Sequence, residues 1–420
     1  MTEEKITVMT ISDMPFTPSG VGIQTKYFCE GLLDSGKFRI VSMGGAVKHP
    51  QYQPVKTDKY GDDWIVYPVD GFGNPDIIRS IIRNVRPDIL WFMTDPRFYE
   101  WLWMMEDEIR PLIPMVYYHV WDNYPFPDFN KPWYSSNDKV VAISKVTHEI
   151  VQKVTPEVDN EYLPHAVDPN IFKKHEKELV AKAKKENFSM WENDKFVFFW
   201  NNRNARRKMS SSVIWWFNTF LNEVGRDKAA LIMHTDPNDV NGPNLNAILT
   251  KLNLLNGEVL ISHQKLPPEH IAMMYNMSDC TINISDAEGF GLSALESLAC
   301  GTPVLVNMTG GLQEQVTDGE NWFGLGIEPI AKAIVGSQNV PYIYEDRINE
   351  EQFVEALKEI YHTPRIILEE MGEKGQKHVE SNYNFNDYKE QWVKIMLETH
   401  EKNGSWSGRK NYQAWHSMEL

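Results

Sequence analysis

The chain has 420 residues, a formal net charge of -16, 42% hydrophobic residues and 24% charged ones. That length exceeds what one hydrophobic core usually organises and suits two domains, while the composition is ordinary and globular, which excludes collagenous, coiled-coil and low-complexity classes. The negative charge speaks against a dedicated nucleic-acid binder, because phosphate backbones select positive surfaces.

The opening MTEEKITVMTIS is acidic and polar and turns directly into a strand, without the basic and then apolar pattern of a signal peptide. No run of eighteen apolar residues is present, so no integral membrane segment is expected. A cytoplasmic location follows, with peripheral membrane contact left open. Cys29, Cys280 and Cys300 form no CxxC pair, which points to reduced thiols rather than a zinc knuckle or a disulfide framework.

Short β-rich runs alternate with helical patterns from the start. Ile6–Ile11, Phe38–Met43, Ile65–Val69, Ile89–Met93, Met115–His119 and Val140–Ile143 read as strands. Gly22–Leu33, Ile77–Val85 and Phe98–Ile109 read as helices between them. A polar Lys/Glu-rich stretch, Phe172–Asn193, follows the Pro164–Asp168 turn, and the domain junction is placed there. The alternation then restarts, with strands at Phe196–Trp200, Ala230–His234, Glu258–Ile261, Cys280–Ile284 and Pro303–Val306. Ser211–Leu221, Pro268–Met277 and Leu292–Ala299 are the helices of this second block. Asn349–Tyr361, Arg365–Asn382 and Asn386–His400 are helical, and the last twenty residues read as a tail or an interface arm. Alternation of this kind implies parallel sheets covered by helices on both faces. The division expected is 1–175, 176–384, and a closing helix with tail at 385–420.

Asp286–Gly311, DAEGFGLSALESLACGTPVLVNMTGG, carries the strongest chemical signal. A strand leads into a Glu-Gly-Phe-Gly loop and a helix begins near Leu292. A helix N-terminus offers open backbone N–H groups and positive dipole character, which suits a phosphate. Gly289 and Gly291 allow close backbone approach. Glu288 and Glu296 are acceptors for hydroxyl groups, as a sugar and a ribose would need. The plainer alternative is a helix with a glycine-rich start and acidic groups that complement its dipole. Trp200–Lys208, WNNRNARRK, follows the first strand of the second block. Its cations suit an anionic ligand such as a phosphate or form a solvated basic turn. Pro18–Gln24, PSGVGIQ, places Gly20 and Gly22 at another helix start, a weak signal by itself. His119 closes a strand, where a ligand role and a core or capping role are both open, with Asp122 close by. The aromatic run Tyr117–Tyr134 suits stacking on sugars or bases, although such runs more often serve packing.

These segments together resemble the retaining glycosyltransferases of family 4. Glu288 and Glu296 reproduce that family's E-x7-E spacing, with Gly301, Pro303, Gly310, Gly311 and Glu314 in register. Arg203 and Lys208 reproduce its Arg-to-Lys interval of five, with Arg206 and Arg207 as alternatives in the same loop. Asn202 stands where the family has glycine, and Val21 splits a pair of glycines that the family keeps adjacent. Val141–Ser144 and Leu163–Phe172 extend the likeness, which spans roughly 6–320 plus a closing helix; 322–347 looks like an insertion. The resemblance implies the GT-B fold, two Rossmann-like doubly wound domains facing each other across a cleft, with the last helix crossing back to the first domain. It implies transfer of a sugar from a nucleotide-diphosphate donor, UDP- or GDP-sugar, with retained anomeric configuration, no metal and no other cofactor. It assigns catalytic roles to Glu288, Arg203, Lys208 and His119. It places Gly20, Gly22, Gly289, Phe290, Gly291, Leu292, Ser293 and Glu296 on the donor.

The acceptor class stays open among glycan, lipid, protein and modified DNA. A phage-type enzyme acting on modified DNA bases, a nucleotide-sugar epimerase and a non-catalytic sugar-nucleotide binder are the competing readings. Salt-sensitive DNA binding would mark the first, and turnover without an acceptor the second.

Overall fold

Central strands such as ILWFM at Ile89–Met93 are buried along their whole length, the pattern expected of strands covered on both faces of a parallel sheet. A computed structural model describes residues 4–191 and 194–412. The chain divides into two compact units. One holds residues up to His165, 336–341 and the chain from Asn386 onward; the other holds Ala166–Val335 and Tyr342–Phe385.

The first unit runs β1 (Ile6–Asp13), α1 (Gly20–Asp34), β2 (Phe38–Gly45), β3 (Val55–Thr57), β4 (Gly61–Pro68), α2 (Pro75–Val85) and β5 (Ile89–Met93). It continues with α3 (Glu100–Trp103), α4 (Glu106–Ile109), β6 (Met115–His119), α5 (Lys131–Ser135), β7 (Lys139–Ala142), α6 (Lys145–Val154) and β8 (Asn160–Tyr162). Its sheet has the order β3-β4-β2-β1-β5-β6-β7-β8. Only the β3–β4 pair is antiparallel. The order winds outward in both directions from β1 and β5, so the strand order reverses between those two.

The segment expected as one helix over Phe98–Ile109 is instead a 3-10 turn followed by the two single-turn helices α3 and α4. The break at Met104–Met105 turns Tyr99, Leu102, Trp103, Met105 and Ile109 all into one core cluster. Burying that much apolar area outweighs the helical bonds lost.

The second unit runs α7 (Lys177–Asn187), β9 (Phe196–Asn201), α8 (Ser210–Val224), β10 (Ala229–His234), α9 (Leu245–Leu252), β11 (Val259–Ser262) and α10 (Pro268–Asn276). After these come β12 (Cys280–Asn283), α11 (Leu292–Ala299), β13 (Val304–Asn307), α12 (Gln313–Val316) and β14 (Gly324–Ile327). The order β11-β10-β9-β12-β13-β14 again reverses once, between β9 and β12. Within the 322–347 stretch, β14 is the edge strand of this sheet, and β15 (Ala331–Val335) and β16 (Ile343–Arg347) form a separate antiparallel hairpin. Helices α13 (Glu350–His362) and α14 (Arg365–Asn382) follow. A capping box on Asn349 and Gln352 starts α13, satisfying two otherwise open N–H groups.

Helix α15 (Phe385–Asn403) brings the chain back to the first unit. Its Trp392 meets Phe28, Trp91 and Tyr118 edge-on, with centroids 4.9, 5.9 and 4.9 Å away. Gly31 of α1 lets Lys389 approach closely, since an added Cβ would meet its side chain at 3.0 Å. The tail reaches a short 3-10 turn at Trp406–Gly408; the part of the expected arm beyond Tyr412 lies outside the described residues. Among the described residues no helix is long and apolar enough to cross a membrane.

Candidate active site

Ligands of open α/β sheets bind outside the carboxyl ends of the strands, where the strand order reverses. In the second unit that place lies after β9 and β12. The loop after β9 carries Arg203, Arg206, Arg207 and Lys208, and the loop after β12 carries Asp286 and Glu288. The two loops are tied by a backbone hydrogen bond from the Asp286 N–H to the Arg207 carbonyl, 2.8 Å. They were identified in the sequence by different arguments, and the topology makes them one site.

Lys208 and Glu288 form an ion pair in which both side chains are about nine-tenths buried. The Ser285 hydroxyl donates to the same Glu288 oxygen at 3.3 Å, and the Arg207 guanidinium stands 3.7 Å from it. Arg203 is seated elsewhere: its Nε lies 2.6 Å from Asp239, whose carboxyl is held down at about 2, first by that hydrogen bond. Arg206 bonds Glu345 of β16, with Nη1 to Oε2 at 3.0 Å. Arg347 of the same strand approaches Asp286 at 3.1 Å. Burial pushes the Asp286 carboxyl up to about 6, and Arg347 opposes that rise. The structure therefore joins Lys208, Arg207 and Glu288, and pairs Arg203 with Asp239.

Helix α11 begins at Leu292 as the glycine pattern predicts. Gly291 occupies the N-cap with φ 90°, and no side chain caps the helix. An L-residue there would be strained, and its Cβ would meet Leu312 at 2.5 Å. The N–H groups of Leu292 and Ser293 come before Ala294, the first to donate within the helix, to the Gly291 carbonyl at 2.9 Å, and point out of the first turn. Gly289 and Phe290 are held against Gly311, whose added Cβ would fall 2.7 Å from the Gly289 carbonyl oxygen. The Phe290 ring is buried edge-on against Tyr383, centroids 5.8 Å apart, so its side chain is a core anchor for the loop.

Glu296 lies on α11 one turn further in, half-buried, and accepts a 2.7 Å hydrogen bond from Tyr275. The Tyr275 hydroxyl accepts in turn from Asn201 at the end of β9. Burial pushes the Glu296 carboxyl up to about 7, against the Tyr275 hydrogen bond. Tyr275, Asn201 and Ser285 were missed in the sequence, where each reads as an unremarkable member of a helix or strand end.

In the first unit, α1 is capped by Ser19, which accepts from the Gly22 N–H at 3.0 Å and donates to Asp13 at 2.6 Å. The Gly22 amide is therefore occupied, and an added Cβ would meet Thr17 Oγ1 at 2.6 Å. Gly20 is exposed at the first position of the helix. His119 is fully buried, with Nε2 2.8 Å from Tyr134 Oη. Tyr134 also accepts from Asn130 at 3.2 Å. The His119 Nδ1 has no hydrogen-bond partner among the described residues. Burial lowers the His119 pKa to about 3 and keeps the ring neutral. Of the aromatic run, Tyr117, Tyr118 and Tyr134 are fully buried and serve packing. All three cysteines are buried, and burial pushes their thiols up. Among the described residues no cluster of three or more His, Cys, Asp or Glu is arranged to hold a metal ion.

Residues 242–378 match the family model described as glycosyl transferases group 1. A D-inositol 3-phosphate glycosyltransferase from Acidothermus cellulolyticus is 44% identical over 64 residues, 15% of this chain and 14% of that protein. An N-acetyl-alpha-D-glucosaminyl L-malate synthase from Bacillus anthracis is 26% identical over 193 residues, 44% of this chain and 46% of that protein. The matched stretches thus cover from about a seventh to less than half of those relatives. Among solved structures, a sucrose-phosphate synthase from Thermosynechococcus elongatus superposes with a TM-score of 0.75 at 14% identity, over 95% of this chain and 100% of that one. The Anabaena protein Alr3699/HepE, solved in complex with UDP, gives 0.69 at 15% identity over 94% and 100%. Likeness over nearly the whole chain shows the GT-B fold, with two Rossmann-like domains.

Proposed function

We propose that the chain is a retaining glycosyltransferase that moves a sugar from a nucleotide-diphosphate donor to a hydroxyl acceptor without a metal. The observation that carries this reading is the buried Lys208–Glu288 pair beside the uncapped start of α11. A cation, open amides and a carboxylate converge there, and the loop with Glu288 and α11 falls within the 242–378 match to glycosyl transferases group 1. UDP is the favoured nucleotide, because Alr3699/HepE is solved with UDP and with UDP-glucose; a GDP-sugar is the alternative donor.

Without a donor, Lys208 and Glu288 neutralise each other. A diphosphate takes over Lys208, with Arg207 and the amides of Leu292 and Ser293 as further partners, and Glu288 is released to accept from sugar hydroxyls. Glu296 accepts from the ribose. Arg203 leaves its pair with Asp239 to join the phosphates. The bond between the anomeric carbon and the diphosphate oxygen breaks, negative charge grows on the leaving group, and the fixed cations and amides oppose that charge. The acceptor oxygen bonds to the anomeric carbon from the face that the diphosphate leaves, and its proton passes to a leaving-group oxygen.

The test is a panel of UDP- and GDP-sugars with hydroxyl acceptors and a chelator, read by nucleotide release and by the anomeric NMR signal of the product. Retained configuration with release undiminished by the chelator is expected. An inverted product would end the retaining assignment, and no binding of any sugar nucleotide would end the function.

A further inference from the structure

The opposite edge of the second sheet holds a second basic cavity. It opens where β9, β12 and β13 begin, between the start of α14, the end of α11 and helix α7. Its volume is about 290 Å³. Lys174, Lys177, Lys184 and Arg365 line it, against the carboxylates of Asp279 and Glu369.

Asp279 is already committed. One oxygen accepts from the Val197 N–H at 2.7 Å, and the other is held by Arg365, whose guanidinium also lies 5.2 Å over the Phe196 ring. Lys184 comes only to 3.9 Å of that second oxygen. Among the described residues its ammonium makes no hydrogen bond, although its side chain is three-quarters buried. Burial lowers its pKa, Arg365 pushes the same way, and Asp194 opposes. A desolvated ammonium beside a guanidinium, with no hydrogen-bond acceptor among the described residues, is an arrangement that an anion relieves. Lys177 and Lys174 are paired with Glu369 at 2.9 Å and with Glu373 at 3.3 Å, both partly exposed. Such pairs hold weakly and can turn toward a ligand. Helix α14 starts at Arg365 without a side-chain cap, so its first amides add to the positive field of the cavity.

We propose that this cavity binds the phosphate group of a small phosphate monoester, with Lys184 and Arg365 as its principal partners, at a site separate from the donor loops. The volume leaves room for a phosphate with a small organic body, and the apolar stretches of Val180, Ala181 and Leu368 line the remainder.

The test is calorimetric titration of the full chain with inorganic phosphate and with glycerol 3-phosphate, in the wild type and in Lys208→Ala, Lys184→Gln, Lys184→Arg and Glu369→Gln. It needs no transfer activity, so its failure and that of the proposed function are separate results. In the Lys208→Ala background, which weakens anion binding at the donor loop, the ester is expected to bind still. Lys184→Gln should weaken it at least tenfold and Lys184→Arg should restore most of it. Glu369→Gln should tighten it by freeing Lys177, an outcome that a purely structural role for these charges does not produce. Equal tenfold weakening in Lys208→Ala with no effect of Lys184→Gln would overturn the proposal. So would binding to phosphatidic-acid vesicles with no binding of the soluble ester.

Discussion

The two sheets share a topology, yet the places where their strand order reverses are built in opposite ways. Between β1 and β5 the gap is filled from within: Tyr99 Oη lies 2.9 Å from the Ile11 carbonyl and 2.7 Å from the Met93 carbonyl, and Ser12 bonds the same Met93 carbonyl. The adjoining helix is capped by Ser19. Between β9 and β12 the corresponding place holds Lys208, Arg207 and Glu288, and the adjoining helix has no side-chain cap. Both loops look like glycine-rich phosphate grips in the sequence. The difference teaches that the charged side chains beside a helix start, more than its glycines or its cap, set the two loops apart, since Ser19 occupies only the Gly22 amide and Ala294 of α11 is likewise bonded, to the Gly291 carbonyl.

The largest expected effect tests that contrast directly. Glu288→Ala and Lys208→Ala should each lower sugar transfer at least tenfold, about 1.4 kcal/mol of barrier, whereas Tyr99→Phe at the other reversal point should lower stability and leave transfer within about twofold. Steady-state kinetics with thermal melts separate the two; equal losses in all three would erase the distinction. Next, Gly291→Ala forces a side chain into a left-handed conformation against Leu312. It should cost about 1–2 kcal/mol of stability and weaken UDP binding by calorimetry, while native affinity in a folded variant would show that α11 does not hold the phosphates.

Glu296 sharpens the contrast through pH. Its carboxyl stays protonated in the folded chain until about 7, whereas an unfolded glutamate releases its proton near 4.3. Between those values the folded state holds the extra proton, so this group's contribution to stability falls as pH rises and levels off above 7. An ionised carboxylate is the better acceptor for ribose hydroxyls, so UDP affinity should rise as pH passes through about 7 and Glu296→Gln should flatten that step. The smallest effect belongs to the cap: Ser19→Ala should cost about 1 kcal/mol of stability and leave UDP affinity unchanged. Weaker UDP binding in that variant would mean that the start of α1 also serves the nucleotide.

Much of the site was legible because its parts are local. Glu288, Gly291 and the start of α11 fall within a few residues of one another, and the interval from Arg203 to Lys208 lies in one loop. What was not legible depends on distant partners. Asp239, which seats Arg203, comes from the loop after β10. Glu345 and Arg347, which engage Arg206 and Asp286, come from a hairpin whose strands alternate too weakly to stand out. Helix α6 was passed over although Ser144 caps it through the Thr147 N–H, because its ten residues follow the β7 strand without a glycine or proline to separate them. The break between α3 and α4 escaped for a different reason: apolar spacing there is compatible with one helix, and only the shape of the core decides against it.

The sequence by itself determined the alternating elements, the two-sheet class and the charged and glycine-rich loops proposed to hold a diphosphate and its sugar, because period, glycine position and charge act over a few residues. The tertiary structure alone decided which of those residues meet, since strand order brings the loops after β9 and β12 together across some eighty residues of chain. It also decided which amides and charges are already satisfied. Burial makes each unsatisfied polar group costly, so the fold closes one reversal point with Tyr99 and pairs the cations and carboxylates of the other with one another.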